Sequence, residues 1–181
     1  MSGYCGSAPG HEFHGPYHDT EYGFPTDDDM VLFERLVLEI NQAGLSWLTV
    51  LKKRNAFRAA FDGFDPKHVA QYGDADRARL LSNASIIRNR LKVNAAIENA
   101  KTVCTLQESH GSFANWIAQQ HPLSKTDWVA LFKEIFLFTG GEITGEFLMS
   151  TGYLPGAHRQ DCPVFREIAA LNPPWMAAGN G

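Results

Sequence analysis

The stretch Thr26-Asp27-Asp28-Asp29-Met30-Val31-Leu32-Phe33-Glu34-Arg35-Leu36-Val37-Leu38-Glu39-Ile40-Asn41-Gln42-Ala43-Gly44-Leu45-Ser46-Trp47 decides how the chain is read. A threonine followed by three acids has the form of a helix start, with Thr26 as N-cap and carboxylates in the first turn. Met30, Phe33, Val37 and Ile40 then recur at helical spacing. Gly44 interrupts the pattern, and Ser46 is placed to cap a second helix carrying Trp47, Val50 and Leu51.

The same signals continue outward. Further helices are expected over Ala56 to Phe61, Asp76 to Ser82 and Arg88 to Leu106. Ser112 can cap a helix with Phe113, Trp116 and Ile117, and Ser124-Lys125-Thr126-Asp127 has the form of a capping box before Trp128, Leu131, Phe132 and Ile135. Thr139-Gly140-Gly141 breaks the chain, a helix follows from about Glu142 to Ser150, and Gly152 stops it. A last helix starts near Pro163. No stretch alternates as a strand does, so the fold class is all-α. The first 25 residues show no period and read as an ordered loop that needs an external tie. Residues 172–181 read as a frayed tail, leaving residues 1–171 as a single domain, or one compact domain of two lobes.

Composition fits a globular chain with a real core, at 44% hydrophobic and 12% aromatic residues among 181. Apolar runs such as Ile135 to Phe138 are far short of a membrane span. Met1 to Gly10 carries no secretory pattern, so a cytoplasmic location is expected. The net charge of -4 argues mildly against a nucleic-acid partner. Two local basic groups soften that argument: Lys52, Lys53, Arg54 and Arg58, then Arg88, Arg90 and Lys92. Their ordinary reading is solvated helix faces.

Three cysteines, Cys5, Cys104 and Cys162, are too few for a disulfide framework and point to buried thiols or metal ligands. Cys5 and His18 near the start, with His158-x-x-x-Cys162 near the end, supply two sulfurs and two nitrogens. That set suits tetrahedral zinc, which would clip the two ends together. The alternative is a buried Cys162 and a surface His158. His11 and His14 could compete as ligands, whereas His68, His110 and His121 lack ligand spacing.

Several blocks resemble one family. Tyr17-His18-Asp19-Thr20-Glu21-Tyr22-Gly23 is similar to the YHDxEWG pattern of the 3-methyladenine DNA glycosylase I family. Leu38 to Trp47 is similar to its LExxQAGLSW block, and the match continues through Leu48 to Arg54, Phe64-Asp65-Pro66, and Ile86 to Arg90 with Lys92. The resemblance covers roughly Tyr4 to Cys162. It implies a helix-hairpin-helix glycosylase fold with a base pocket between two helical lobes. It implies structural zinc held by Cys5, His18, His158 and Cys162. It places Glu39 in the pocket as the catalytic and base-binding carboxylate, Tyr17 and Trp47 as aromatic walls, and Leu45 beside Gly44 as a wedge into DNA. Thr139, Gly140 and Gly141 would then face a DNA phosphate through their backbone amides. The implied activity is monofunctional excision of 3-methyladenine and related 3-alkylated purines. The implied partners are double-stranded DNA containing alkylated bases and free 3-methyladenine as product, with no membrane and a monomeric state.

The match is weaker at Phe136 to Glu142, which resembles the family's GFKFVGPT in outline only. Leu137 stands for its lysine and Glu142 for a small polar residue. Ser7 stands where the family has tryptophan, and His14 where it has tyrosine. Two rivals follow: a zinc-stabilised DNA- or base-binding homologue with weakened catalysis, and a glycosylase for a bulkier alkyl adduct.

Overall fold

The computed structural model describes residues 3–177, and every regular element among them is helical. In chain order they are α1 (Tyr4–Ser7), α2 (His14–Thr20), α3 (Asp29–Gln42), α4 (Trp47–Ala60), a 3-10 turn (Asp62–Phe64), α5 (Pro66–Val69), α6 (Asp74–Ser82), α7 (Arg90–His110), α8 (Phe113–Gln120), α9 (Lys125–Ile135), α10 (Gly141–Ser150), α11 (Pro163–Ala170) and α12 (Pro174–Ala177).

Helix α3 is the axle. Every residue from Leu32 to Asn41 is buried. A helix buried on all sides has no solvent face on which to leave polar groups. Glu34, Arg35, Glu39 and Asn41 therefore each require a partner or a purpose. Around α3 one large apolar cluster draws on α4 to α10, with Phe33, Phe57, Phe61, Phe64, Phe113, Trp128, Phe132 and Phe147 almost fully enclosed.

Several caps fall where the sequence puts them. Ser46, Ser112 and Ser124 accept hydrogen bonds from the backbone N–H groups of Thr49, Asn115 and Asp127. The start of α3 differs. Asp28, not Thr26, is the N-cap, and Thr26 instead accepts from the Asp28 N–H. Asp29 has a distant use: its carboxylate accepts from Gln107 and from the first N–H groups of α8, at Phe113 and Ala114. The segment expected over Ala56 to Phe61 is the end of the longer α4.

The ends of the chain also differ from expectation. The opening segment is not a plain loop: it folds into α1 and α2, which are too short for a periodic signal. Residues 172–177 of the expected tail are ordered. The Pro174 carbonyl accepts from His121 Nε2, and the Trp175 N–H donates to Gly152 O. The remainder of that tail lies outside the described residues.

Between α9 and α10 the chain makes a tight hairpin with Phe138 at φ 62°. A phenylalanine in left-handed backbone costs about 1–2 kcal/mol. Two buried side chains hold it there. The Asn99 amide of α7 accepts from Leu137 N–H at 2.8 Å and donates to Leu137 O at 3.0 Å, imitating a strand partner. The Thr139 hydroxyl reaches Phe132 O at 2.9 Å and Phe136 O at 3.1 Å.

Candidate base pocket and metal cluster

A cavity of about 230 Å³ is lined by Tyr4, Tyr17, Tyr22, Glu39, Gln42, Trp47 and Glu146. Its floor comes from the buried α3, its aromatic walls from α2 and the first turn of α4, and its far side from α10. Trp47 and Tyr17 pack at 5.1 Å between ring centroids. The Tyr17 ring also meets cations, with the Arg35 guanidinium 5.0 Å and that of Arg54 5.9 Å from its centroid. The ring is thus clamped in place, while its buried hydroxyl has no protein partner.

Glu39 is 3% exposed. Among the described residues no donor reaches either of its oxygens. Burial, reinforced by the negative charge of Glu146 and opposed by Arg35, pushes its carboxyl up to about 8. At neutral pH the carboxyl therefore holds its proton. Glu146, also raised chiefly by burial, accepts from the Tyr22 hydroxyl at 3.3 Å.

The expected wedge stands at the rim. Gly44 adopts φ +78° and turns the chain sharply between α3 and α4, leaving Leu45 44% exposed. Lys92, buried at the start of α7, fixes this turn. Its ammonium donates to Asn41 O at 2.8 Å and Ala43 O at 2.6 Å, capping the C-terminus of α3. A second cavity of about 520 Å³ joins Glu39, Gln42 and Glu146 to Gly44 and to the start of α10 at Gly140, Gly141, Glu142 and Ile143. The structure thus brings Tyr17, Glu39, Gly44, Trp47, Gly140 and Gly141 around one connected space. Thr139 keeps its side chain inside the hairpin, as a brace.

The basic groups are not the surface stripes the sequence suggests. Arg54 and Arg58 both pair with Glu34, and Arg54 also takes Glu21 in a bidentate grip. Arg35 adds bonds to Glu21 and Ser150 O. These cations form a half-buried network under Tyr17, because the carboxylates they meet come from the C-cap of α2 and from α3. Of the two groups, Lys52, Arg88 and Arg90 are exposed and have no ion pair among the described residues.

Cys5, His18, His158 and Cys162 converge with their ligand atoms within 4.8 Å of one another. His158 Nδ1 lies 3.6 Å from both sulfurs, and His18 Nε2 lies 3.8 Å from Cys162 Sγ. A tetrahedral ion with Zn–S of about 2.3 Å and Zn–N of about 2.0 Å would separate such atoms by about 3.6 Å. The opposite ring nitrogens are already committed: His18 Nδ1 donates to Asp19 at 2.7 Å and His158 Nε2 to Tyr22 O at 2.7 Å. That arrangement turns the other nitrogen of each ring inward as an acceptor, as a metal requires. This buried Cys2His2 group can bind a metal ion. The rival histidines are spent elsewhere, since His11 accepts from the N–H groups of Phe13 and His14, and His14 pairs with Tyr4. Gly23 allows the approach. It has φ +86°, and a Cβ there would lie 2.8 Å from Ala157 Cβ.

Sequence reasoning missed the pocket roles of Glu146, Tyr22 and Tyr4, and the supports Lys92 and Asn99. Glu142 and Glu146, one turn apart, carry the pattern of a solvated helix face. Nothing local distinguishes the one that turns inward.

Comparison with known proteins agrees with this geometry. The family model described as methyladenine glycosylase matches residues 8–135. A DNA-3-methyladenine glycosylase of Haemophilus influenzae is 37% identical over 166 residues, covering 81% of this chain and 89% of that protein. DNA-3-methyladenine glycosylase 1 of Escherichia coli is 42% identical over 113 residues, 62% of this chain and 60% of that one. The structure of 3-methyladenine DNA glycosylase I from Staphylococcus aureus, solved for its recognition of 3-methyladenine, superimposes with a TM-score of 0.79 at 30% identity, over 90% of this chain and 96% of that one. The match over most of the chain, in sequence and in fold, makes this protein a member of the methyladenine glycosylase family.

Proposed function

We propose that the protein is a monofunctional DNA glycosylase that hydrolyses the N-glycosidic bond of 3-methyladenine, and of related 3-alkylated purines, in double-stranded DNA. The observation that carries this reading is the unpartnered Glu39 carboxyl in an aromatic cavity beside an exposed, glycine-turned leucine.

The target base must leave the stack. Leu45 enters the gap, and the backbone amides at Gly140 and Gly141, at the N-terminus of α10, meet a phosphate. Arg88 and Arg90 add charge for the DNA backbone. Tyr17 and Trp47 stack on the flipped base for about 1–3 kcal/mol each, and more for a cationic ring. Glu39 accepts from the exocyclic amino group and favours a positive purine over neutral adenine. Chemistry then needs little acid help. When the glycosidic bond breaks, its electron pair returns to a ring that already carries positive charge, so 3-methyladenine leaves neutral. Water adds at the sugar carbon and gives its proton to solvent. Cys5, His18, His158 and Cys162 would hold zinc as a structural ion, because four protein ligands leave no open position for catalysis.

One observation favours weaker activity: Leu137 and Glu142 are both exposed at the hairpin, where a phosphate gains nothing from either. Base release from methylated duplex DNA decides the matter, with Glu39→Ala beside the wild type. Release well above the variant supports the reading. Equal release by both removes Glu39 from the chemistry.

A further inference from the structure

Glu146 is a second carboxyl group in the pocket that the proposed chemistry leaves unused. It stands on α10, across the cavity from Glu39 on α3, and lines both the aromatic pocket and the wider opening toward Gly44 and Gly140. Its Oε2 accepts from Tyr22, and its Oε1 has no protein donor among the described residues. The oxygens of Glu39 are equally unspent. Two carboxyl groups thus face one small, aromatic-walled space with at least three acceptor oxygens open. Neutral adenine suits such a site less well. Its amino group has only two N–H donors, and it brings no charge to set two carboxylates at rest. A 3-alkylated adenine in DNA brings a full positive charge spread over the ring and the same two amino N–H groups.

Resting on the functional reading above, we propose that Glu146 is a second specificity-determining carboxylate of the base pocket, acting with Glu39 to admit purines that carry positive charge. Glu39 and Glu146 each accept from the exocyclic amino group or balance the ring charge beside it. In the empty pocket the pair keeps a proton, because both carboxyls are raised by burial and Glu39 further by its neighbour. The entering cation displaces that proton to solvent, so charge in the cavity is exchanged, not added. The other charged and titratable groups around the pair are Arg35 on α3, Lys125 on α9, Glu142 on α10, and the hydroxyls of Tyr4, Tyr17 and Tyr22. Of these, Glu142 works against ionisation of the pair, and Arg35 and Lys125 work for it.

The test uses two small probes that differ by an N3 methyl group and the charge it brings: 3,9-dimethyladeninium, a permanent cation with a methyl in place of the sugar, and neutral 9-methyladenine. Binding to the metal-loaded protein is followed by Trp47 fluorescence between pH 5.5 and 8 for the wild type, Glu146→Gln and Glu146→Asp. The wild type should prefer the cation by tenfold or more at pH 7.5, and its affinity for the cation should rise with pH. Glu146→Gln, which keeps the shape and the Tyr22 contact, should lose most of that preference and flatten the pH dependence. Glu146→Asp should retain the preference. An equal cation-to-neutral ratio in Glu146→Gln and the wild type overturns the inference, as does a wild type that shows no preference. Base release from methylated DNA by the same proteins is a separate readout. A wild type that prefers the cation but releases no base refutes the proposed function and leaves the pocket assignment standing.

Discussion

Replacing Glu39 with glutamine should make the protein more stable, and increasingly so as pH rises. The Glu39 carboxyl titrates ordinarily at 4.5 and in the folded chain at about 8. A raised carboxyl binds its proton more tightly in the folded state, so its contribution is neutral below 4.5 and turns against folding as pH climbs toward 8. Linkage puts the cost at about 1 kcal/mol at pH 5 and about 3 kcal/mol at pH 7. Glutamine has the same shape and no proton to lose. At roughly 2–4 °C per kcal/mol for a chain of this size, the melting temperature of Glu39→Gln minus that of the wild type should grow by about 5–10 °C between pH 5 and pH 7. Differential scanning calorimetry of both metal-loaded proteins at pH 5, 6, 7 and 8 measures it, and the pH dependence of the metal cluster cancels between them. A difference that stays constant across that range would falsify the claim that Glu39 is buried, neutral and waiting for a cation.

Three further outcomes are expected. Zinc should be found at about one equivalent per chain by mass spectrometry, and chelation or Cys162→Ser should lower the melting temperature by about 10 °C or more, because the ligands join the first and last parts of the chain; a chelated protein that melts unchanged refutes the structural role. Lys92→Met should cost about 1–3 kcal/mol by stripping the donor from Asn41 O and Ala43 O, measurable by urea unfolding, and should slow base release from duplex DNA more than it weakens binding of a free base. Leu45→Ala, at an exposed position, should leave stability within about 0.5 kcal/mol and yet reduce excision from duplex DNA by tenfold or more; wild-type rates in that variant would remove Leu45 as the wedge.

What the sequence discloses here is mostly local. Ser46, Ser112 and Ser124 are readable as caps because the bond each accepts lies within its own first turn. Glu39, Tyr17 and Trp47 are readable together because the resemblance groups them, and the structure places all three on one cavity. Cys5, His18, His158 and Cys162 form a recognisable donor set even though 153 residues separate Cys5 from His158. Long-range pairing is what stays hidden. Thr26 and Asp28 are equally good caps by type, and the geometry of Asp28 wins. Arg54 and Arg58 read as surface charge because their acceptors, Glu21 after α2 and Glu34 on α3, lie on other parts of the chain. Asn99 is a polar residue in the middle of a long helix, and its exchange of bonds with Leu137 leaves no trace in the local pattern.

Helix α7 has a consequence as a ruler. One residue near its start, Lys92, holds the turn that presents Leu45, and another two turns along, Asn99, holds the hairpin that precedes α10. Seven residues of helix fix these two anchor points about 10 Å apart along a single stiff rod. Neither turn can drift toward the other without breaking buried hydrogen bonds. On the proposed reading, the protein would meet the duplex as a gauge of set width, and the work of matching would fall on the nucleic acid. Duplex weakened by a poorly stacked base bends to fit at less cost than sound duplex. Under the proposed function, damage would in this way be sensed as softness before any base reaches the pocket.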